Sequence, residues 1–307
     1  MDPRNQIISI LQDLIRIYSP SGHEQDIAGY LEKYLINEGW HVVRDAMHNI
    51  AACPADMQHD VLPLLNAHMD TYSSKNNDPE RRTATPEELQ NLALQINADG
   101  QVVKADKAGN VHGQIQVGFD DKIGVAMILW LVKYRKDLSF KILLTTMEEN
   151  KQVGVRHFLR NTNGFFNTVS WGFSLDRAED AVPILKERSG RDIVFIYGKN
   201  AETQDDRHMG RQQICSEEFV ETIEQISATL DTPMQRERSD NWSDAYHIHC
   251  QGGCMNIVNL SVGYSYMHRV NDTLDMKSAM QTLNLVQECL DERWVDRLAR
   301  IPRVSLQ

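Results

Sequence analysis

Apolar residues recur at helical spacing at Ile7, Ile8, Leu11, Leu14 and Ile15, and the stretch Pro20 to Gly22 ends that element. A second amphipathic helix follows, with Ile27, Leu31, Tyr34 and Leu35 as its buried stripe and Gly39 as its stop. The run WHVVRDAMHNIAAC then switches to strand-like composition. VLPLLNA (61–67) reads as a strand ending at His68; Pro63, which cannot donate to a ladder, puts it next to an edge or a bulge. GVAMILWLVKY (124–134), apolar nearly all round, predicts a buried helix, and FKILLTTM (140–147) a strand. A helix from about Val153 leads to strands at VSWGFSLD (169–176) and RDIVFIYG (191–198). A helix over about 215–230, a short strand near MQRER and a strand at NIVNLSVG (256–263) follow. One closing helix keeps Met276, Met280, Leu283, Val286, Leu290 and Trp294 on its apolar face. This repeated β-then-α order predicts an α/β fold: a central mixed, mainly parallel sheet with helices on both sides.

Residues 72–115 break the rhythm. A polar stretch gives way to Thr85-Pro86-Glu87-Glu88, which predicts an N-cap, a proline at the first helical position and an acidic first turn. Asp99-Gly100 then signals a hairpin. We read this segment as an excursion from the core, a flap or an oligomer contact. No linker or internal repeat stands out, so residues 1–307 are expected to form one domain.

Composition narrows the function. At 307 residues and 41% apolar content the chain can build a sizeable core. Its net charge of −11, without any Lys/Arg run, argues against a nucleic-acid or anionic-membrane surface and suits a protein that gathers carboxylates around a cation. The five scattered cysteines, Cys53, Cys215, Cys250, Cys254 and Cys289, read as reduced thiols, which points to the cytoplasm. The N-terminal stretch carries Asp13 and Arg16 within its apolar residues and reads as a helix, not a signal peptide, and no window approaches a membrane span.

The chemistry gathers at strand ends. LLNAHMD ends in His68 and Asp70, IQVGFDDKIG places Asp120 and Asp121 before a helix, LLTTMEEN ends in Glu148 and Glu149, and WGFSLD ends in Asp176. His268 follows a fifth strand. Ligands of open α/β sheets bind beyond the carboxyl ends of strands, where such loops converge. His68, Asp120, Glu149, Asp176 and His268 supply the imidazoles and carboxylates that two divalent cations, Zn²⁺ or else Co²⁺ or Mn²⁺, require. Glu148 and Glu149 can divide the labour, one ligating and the other, kept off the metals, moving a proton, and Asp70 can accept the His68 N–H and orient its ring.

HMDT (68–71), GFDDKIGVA (118–126), TTMEEN (145–150), SLD (174–176) and YMHRVNDTLD (266–275), in that order after SPSGHE (19–24), resemble the co-catalytic metallopeptidase clan. This clan holds the peptidase T-like enzymes, other M20-, M28- and M42-type exopeptidases, and the single-domain zinc aminopeptidases. The resemblance implies a zinc exopeptidase-like three-layer α/β/α sandwich. It implies that His68 and Asp176 hold one metal, Glu149 and His268 the other, with Asp120 bridging, Glu148 as general base and acid, and Asp70 behind His68. Many of these enzymes insert a lid or dimerisation domain between the Asp ligand and the last His; here Asp176 and His268 are too close for one. Tyr264, Tyr266 or Arg188 could substitute for lid residues as oxyanion donor. The implied activity is that of an aminopeptidase acting on short peptides; the alternatives are a deacylase or carboxypeptidase acting on N-acyl amino acids or small amides, and a non-catalytic metal-binding protein. A homo-oligomer is the expectation where the excursion is a subunit contact. HIHC (247–250) with Cys254 matches no usual zinc spacing and reads as packing, Ser243-Asp244 reads as structural, and neither a phosphate loop nor GxSxG is present.

Overall fold

The computed structural model describes residues 2–73, 78–106, 115–161, 164–178, 193–196, 213–232, 234–237, 243–253 and 255–304. Two helices open the chain, α1 (Pro3–Ile15) and α2 (Gln25–Asn37), followed by β1 (Trp40–Arg44), β2 (Ile50–Pro54) and β3 (Leu62–His68). Next come α3 (Pro86–Asn91), β4 (Leu92–Ile96), β5 (Gln101–Asp106), α4 (Phe119–Tyr134), β6 (Lys141–Thr145), α5 (Val153–Asn161), β7 (Val169–Arg177) and β8 (Ile193–Ile196). The remaining elements are α6 (Glu217–Thr229), β9 (Met234–Glu237), α7 (Asp244–Gln251), β10 (Ile257–Ser261), β11 (Tyr264–Ser265), β12 (Thr273–Asp275), α8 (Met276–Leu290) and α9 (Glu292–Arg300).

Eight strands form the main sheet in the order β1-β2-β6-β3-β7-β10-β8-β9. Its centre, β6-β3-β7-β10, is parallel, while β1, β2 and β8 introduce antiparallel pairings. The sheet is therefore mixed, as the alternating pattern predicts. Alternate residues of the central strands enter two separate cores. Leu64, Leu143 and Ile257 pack with Val155 and Phe158 of α5 and Ala245 and Ile248 of α7. Leu65, Ile142, Leu144 and Val258 pack with residues of α1, α4, α6 and α8. Both faces being covered, these strands read as continuous apolar runs.

Pro63 occupies an irregularity: the β3/β7 register shifts between Leu62 and Leu64. The bulge reading of Pro63 holds, whereas the edge reading does not, because β3 lies between β6 and β7. The single closing helix is also corrected. Asp291 adopts an extended backbone and its carboxylate accepts the Arg293 N–H, so it stops α8 and N-caps α9. The apolar stripe from Met276 to Trp294 thus spans two helices.

Within the excursion, Thr85 and Glu88 form a capping box around α3. β4 and β5 make the expected hairpin, with Gly100 at φ +84° in its turn. β5 also pairs with β12, and β12 with β11, giving a second sheet in the order β11-β12-β5-β4. The excursion is thereby joined to the loop that carries His268.

Candidate active site

β3 delivers His68 at its last position, and Asp70 follows two residues on, fully buried. Asp70 does two things. Its Oδ1 lies 3.4 Å from His68 Nδ1. Its oxygens also accept the backbone N–H groups of Glu148 (2.9 Å) and Glu149 (3.2 Å), and Oδ2 accepts the Ser21 hydroxyl at 2.6 Å. The SPSGHE segment is thus part of the scaffold. Its Glu24 accepts the N–H groups of Gly22 and Met147, which fixes the residue before Glu148.

The adjacent glutamates beyond β6 diverge. Glu148 Oε1 accepts the Gln152 amide N–H at 2.8 Å, while Glu149 Oε1 lies 2.6 Å from His268 Nε2. A tight turn makes this divergence: Met147 has φ +51°, and Val153 N–H donates back to the Met147 carbonyl. At the start of α4, Asp120 and Asp121 are joined by a cis peptide bond and have non-helical backbone angles. Asp120 spans the two imidazoles, with Oδ1 3.0 Å from His68 Nε2 and Oδ2 3.1 Å from His268 Nε2. Asp121 faces inward, accepting the N–H of His68 and of Gly124. Asp176, near the end of β7, is bracketed by Asn259 of β10, which accepts its N–H and donates to its carbonyl. Its Oδ1 lies 3.5 Å from His68 Nε2 and accepts the Tyr264 hydroxyl at 3.4 Å.

All seven residues read from the sequence, His68, Asp70, Asp120, Glu148, Glu149, Asp176 and His268, therefore converge. Ligand atoms of His68, Glu148 and Asp176, and of His68, Asp120 and Glu149, lie within 4.8 Å of one another. The chemistry fits cations. Glu149 Oε1 is buried and close to His268 Nε2 without hydrogen-bond geometry, and His68 Nδ1 and Asp244 Oδ1 are likewise buried without such a bond. Burial pushes Glu149 up to about 7 and Glu148 well above the usual carboxylate range, with neighbouring acids adding to both. At His268 burial acts downward but the Asp120 and Glu149 carboxylates prevail, raising it to about 10. A buried excess of carboxylates over imidazoles is what bound cations neutralise.

Two further residues reach the site: Asp244, in a segment that resembles one near the site in the same clan, and Tyr72, which no motif singled out. Asp244, at the first position of α7, accepts the Thr145 hydroxyl and is pushed up to about 7, chiefly by burial. Tyr72 stacks on the His268 ring, centroids 4.4 Å apart, and its hydroxyl accepts a bond from Arg81. Of the suggested oxyanion donors, Tyr264 is committed to Asp176, Tyr266 is exposed, and Arg188 lies outside the described residues. His249 is fully buried with Nδ1 2.8 Å from the Met255 carbonyl, as packing predicts. Cys254 lies outside the described residues, and no disulfide forms among the described cysteines. None of the described helices is long and apolar enough to cross a membrane.

Comparison with known proteins places this geometry in a family. The cytosol non-specific dipeptidase of Escherichia coli is 30% identical over 145 residues; the alignment covers 46% of this chain and 27% of the dipeptidase, so the chain spans about a quarter of that relative's length. The structure of aminopeptidase PepT from Bacillus cereus superimposes with a TM-score of 0.65 at 16% identity, covering 94% of this chain and 98% of that one. The TET1 peptidase of Pyrococcus horikoshii, described as assembling into a tetrahedron or a large octahedral shell, superimposes with a TM-score of 0.63 at 15% identity, covering 93% and 99%. At these identities the structural likeness establishes the fold. The family profile described as M42 glutamyl aminopeptidase matches residues 87–285, more than half of the chain and inclusive of Asp120, Glu148, Glu149, Asp176 and His268, and the chain belongs to that family.

Proposed function

We propose that the protein is a metal-dependent aminopeptidase that hydrolyses short peptides at a centre of two divalent cations, zinc foremost, with cobalt or manganese as substitutes. The observation that carries this reading is the bridge made by Asp120 between His68 and His268, with Glu148 Oε1 held by the Gln152 side-chain amide. His68 and Asp176 would hold one ion, Glu149 and His268 the other, and Asp120 both. When bound, such ions polarise a scissile carbonyl and acidify a water. The protein's own groups do the rest. Glu148 takes a proton from the attacking water and returns it to the leaving amine, for which a carboxylate pKa raised by burial is suited. Gln152 holds Glu148 Oε1, and Asp70 orients the His68 ring while pinning the backbone of both glutamates. The chain acts in this reading as one domain in the cytoplasm and as a homo-oligomer, in keeping with reduced cysteines and with the assembly described for the TET1 peptidase.

The test is turnover of Zn²⁺-, Co²⁺- or Mn²⁺-reconstituted protein on a mass-spectrometric library of free peptides, N-blocked peptides and N-acyl amino acids, with Glu148→Gln as the blank. Stepwise loss of N-terminal residues from free peptides alone is the expected result. Cleavage of blocked or acylated members would replace it with a carboxypeptidase or deacylase. Absence of any Glu148-dependent cleavage would replace it with metal binding without catalysis.

A further inference from the structure

Lys104 lies on β5, in the excursion between His68 and Asp120, and belongs to no ligand motif. Its side chain is only 5% exposed. Its ammonium nevertheless has three acceptors, one for each N–H: the Ile115 carbonyl at 2.8 Å, the Val270 carbonyl at 2.9 Å and the Asp272 carboxylate. Asp272, 4% exposed, uses its other oxygen to accept the Val117 N–H at 3.3 Å. One buried ion pair therefore joins β5, the 115–117 segment that runs into Asp120, and the loop that presents His68's counterpart, His268. Two further contacts support that loop: Arg269 Nη1 donates to the Glu80 carboxylate at 2.9 Å, and Tyr72 stacks on the His268 ring. His268 itself sits at φ +60°, a left-handed backbone that surrounding contacts must hold, and Val270 N–H donates to the Glu80 carbonyl of the same excursion.

Burying an ion pair is a poor route to stability, because desolvation offsets the attraction and apolar replacements often fold as well. What such a pair does supply is a defined geometry. His68 and Asp176 are held without it, through the main sheet, by Asp121 and Asn259. Glu149 is held by Asp70 from the same sheet, so His268 is the ligand whose loop rests on the buried pair.

We propose that Lys104 and Asp272 are positioning residues for the ion held by Glu149 and His268, fixing the His268 loop against the Asp120 segment, so that a buried ion pair outside the ligand set governs the affinity of one of the two cations. This rests on the two-ion reading given above. It also assigns the excursion a third role, distinct from a flap or an oligomer contact.

The test counts zinc ions per chain on the reconstituted protein as free Zn²⁺ is lowered with a chelator buffer. Wild type is expected to hold two ions. In Lys104→Met one ion should leave at a free Zn²⁺ concentration about tenfold higher or more, as for loss of other outer partners of metal ligands, while the second is released as in wild type. Asp272→Asn, which keeps the shape of the side chain and removes only its charge, should do the same and carries the test where Lys104→Met does not fold. The double variant Lys104→Met with Asp272→Leu should recover the thermal midpoint but not the lost ion, which a merely stabilising pair would not produce. Equal weakening of both ions, or none, overturns the inference and leaves the two-ion reading standing. A wild type that never holds a second ion overturns both.

Discussion

Glu148 and Glu149 share a peptide bond yet face different partners, Gln152 and His268. Replacing the first should remove proton transfer without removing a ligand. Glu148→Gln is therefore expected to lower kcat by about a hundredfold or more while the zinc content stays at the wild-type value. Glu149→Ala should do the reverse, losing metal first, because its carboxylate lies against His268 and Asp120. Metal analysis beside steady-state kinetics separates the two, and equal metal loss in both variants would remove Glu148 from the base role. Asp70 shows why the first residues of the chain matter to a site so far along it. Ser21 and Glu24 hold Asp70 and Met147, so the loop after α1 reaches the turn that bears both glutamates directly.

At the scale of elements, the site depends on close approaches between them. The turn bearing both glutamates lies against the start of α5, where a Cβ on Gly154 would stand 1.9 Å from the Thr146 carbonyl oxygen. Backbone cannot move aside as a flexible side chain can. Gly154→Ala should therefore destabilise the fold by about 1–3 kcal/mol and displace Glu148 and Glu149 together, lowering both the unfolding midpoint and metal content. A variant with unchanged metal content and melting would show that the turn tolerates the shift. The excursion belongs to this scale too. Because β5 pairs with β12 and α1 holds β4 through Gln12, deleting residues 72–115 should lower metal content as well as turnover, measured alongside mass in solution. Loss of assembly with full metal content would return the segment to the role of a subunit contact.

Over the whole molecule, the buried charge makes stability depend on metal and pH together. Burial raises Glu149 and Asp244 to about 7 and pushes Glu148 well above the usual carboxylate range, against unperturbed carboxylates near 4. A group whose folded pKa is raised contributes stability that is complete below its unfolded pKa and is lost as pH climbs through the folded one. The metal-free protein should thus become less stable between about pH 4.5 and about pH 7. The raised His68 and His268 act with the same sign above that window. Bound cations favour the ionised carboxylates and should oppose the loss, besides stabilising by binding only the folded chain. Thermal midpoints of chelator-treated and zinc-loaded protein across that interval check this; a chelator-treated midpoint that rises with pH would contradict it.

The amino-acid sequence by itself determined most of the element order, though not α7, β11 or β12, together with the apolar strands, the capping box at Thr85 and the seven candidate site residues. These are local properties: periodicity, turn chemistry, and His or acidic residues at strand ends. It misjudged the closing helix, because the apolar stripe continues across Asp291 and periodicity does not register a single capping residue. The resemblance paired Glu149 with His268, but only the tertiary structure shows how the two glutamates diverge, since that depends on a turn held by Asp70, Glu24 and Asn49 from distant segments. It alone brought Asp244 to Thr145 and Lys104 to Asp272, side chains 99 and 168 residues apart in the chain. Such pairs leave no periodic trace. Burial makes them matter, and burial is a property of the folded chain.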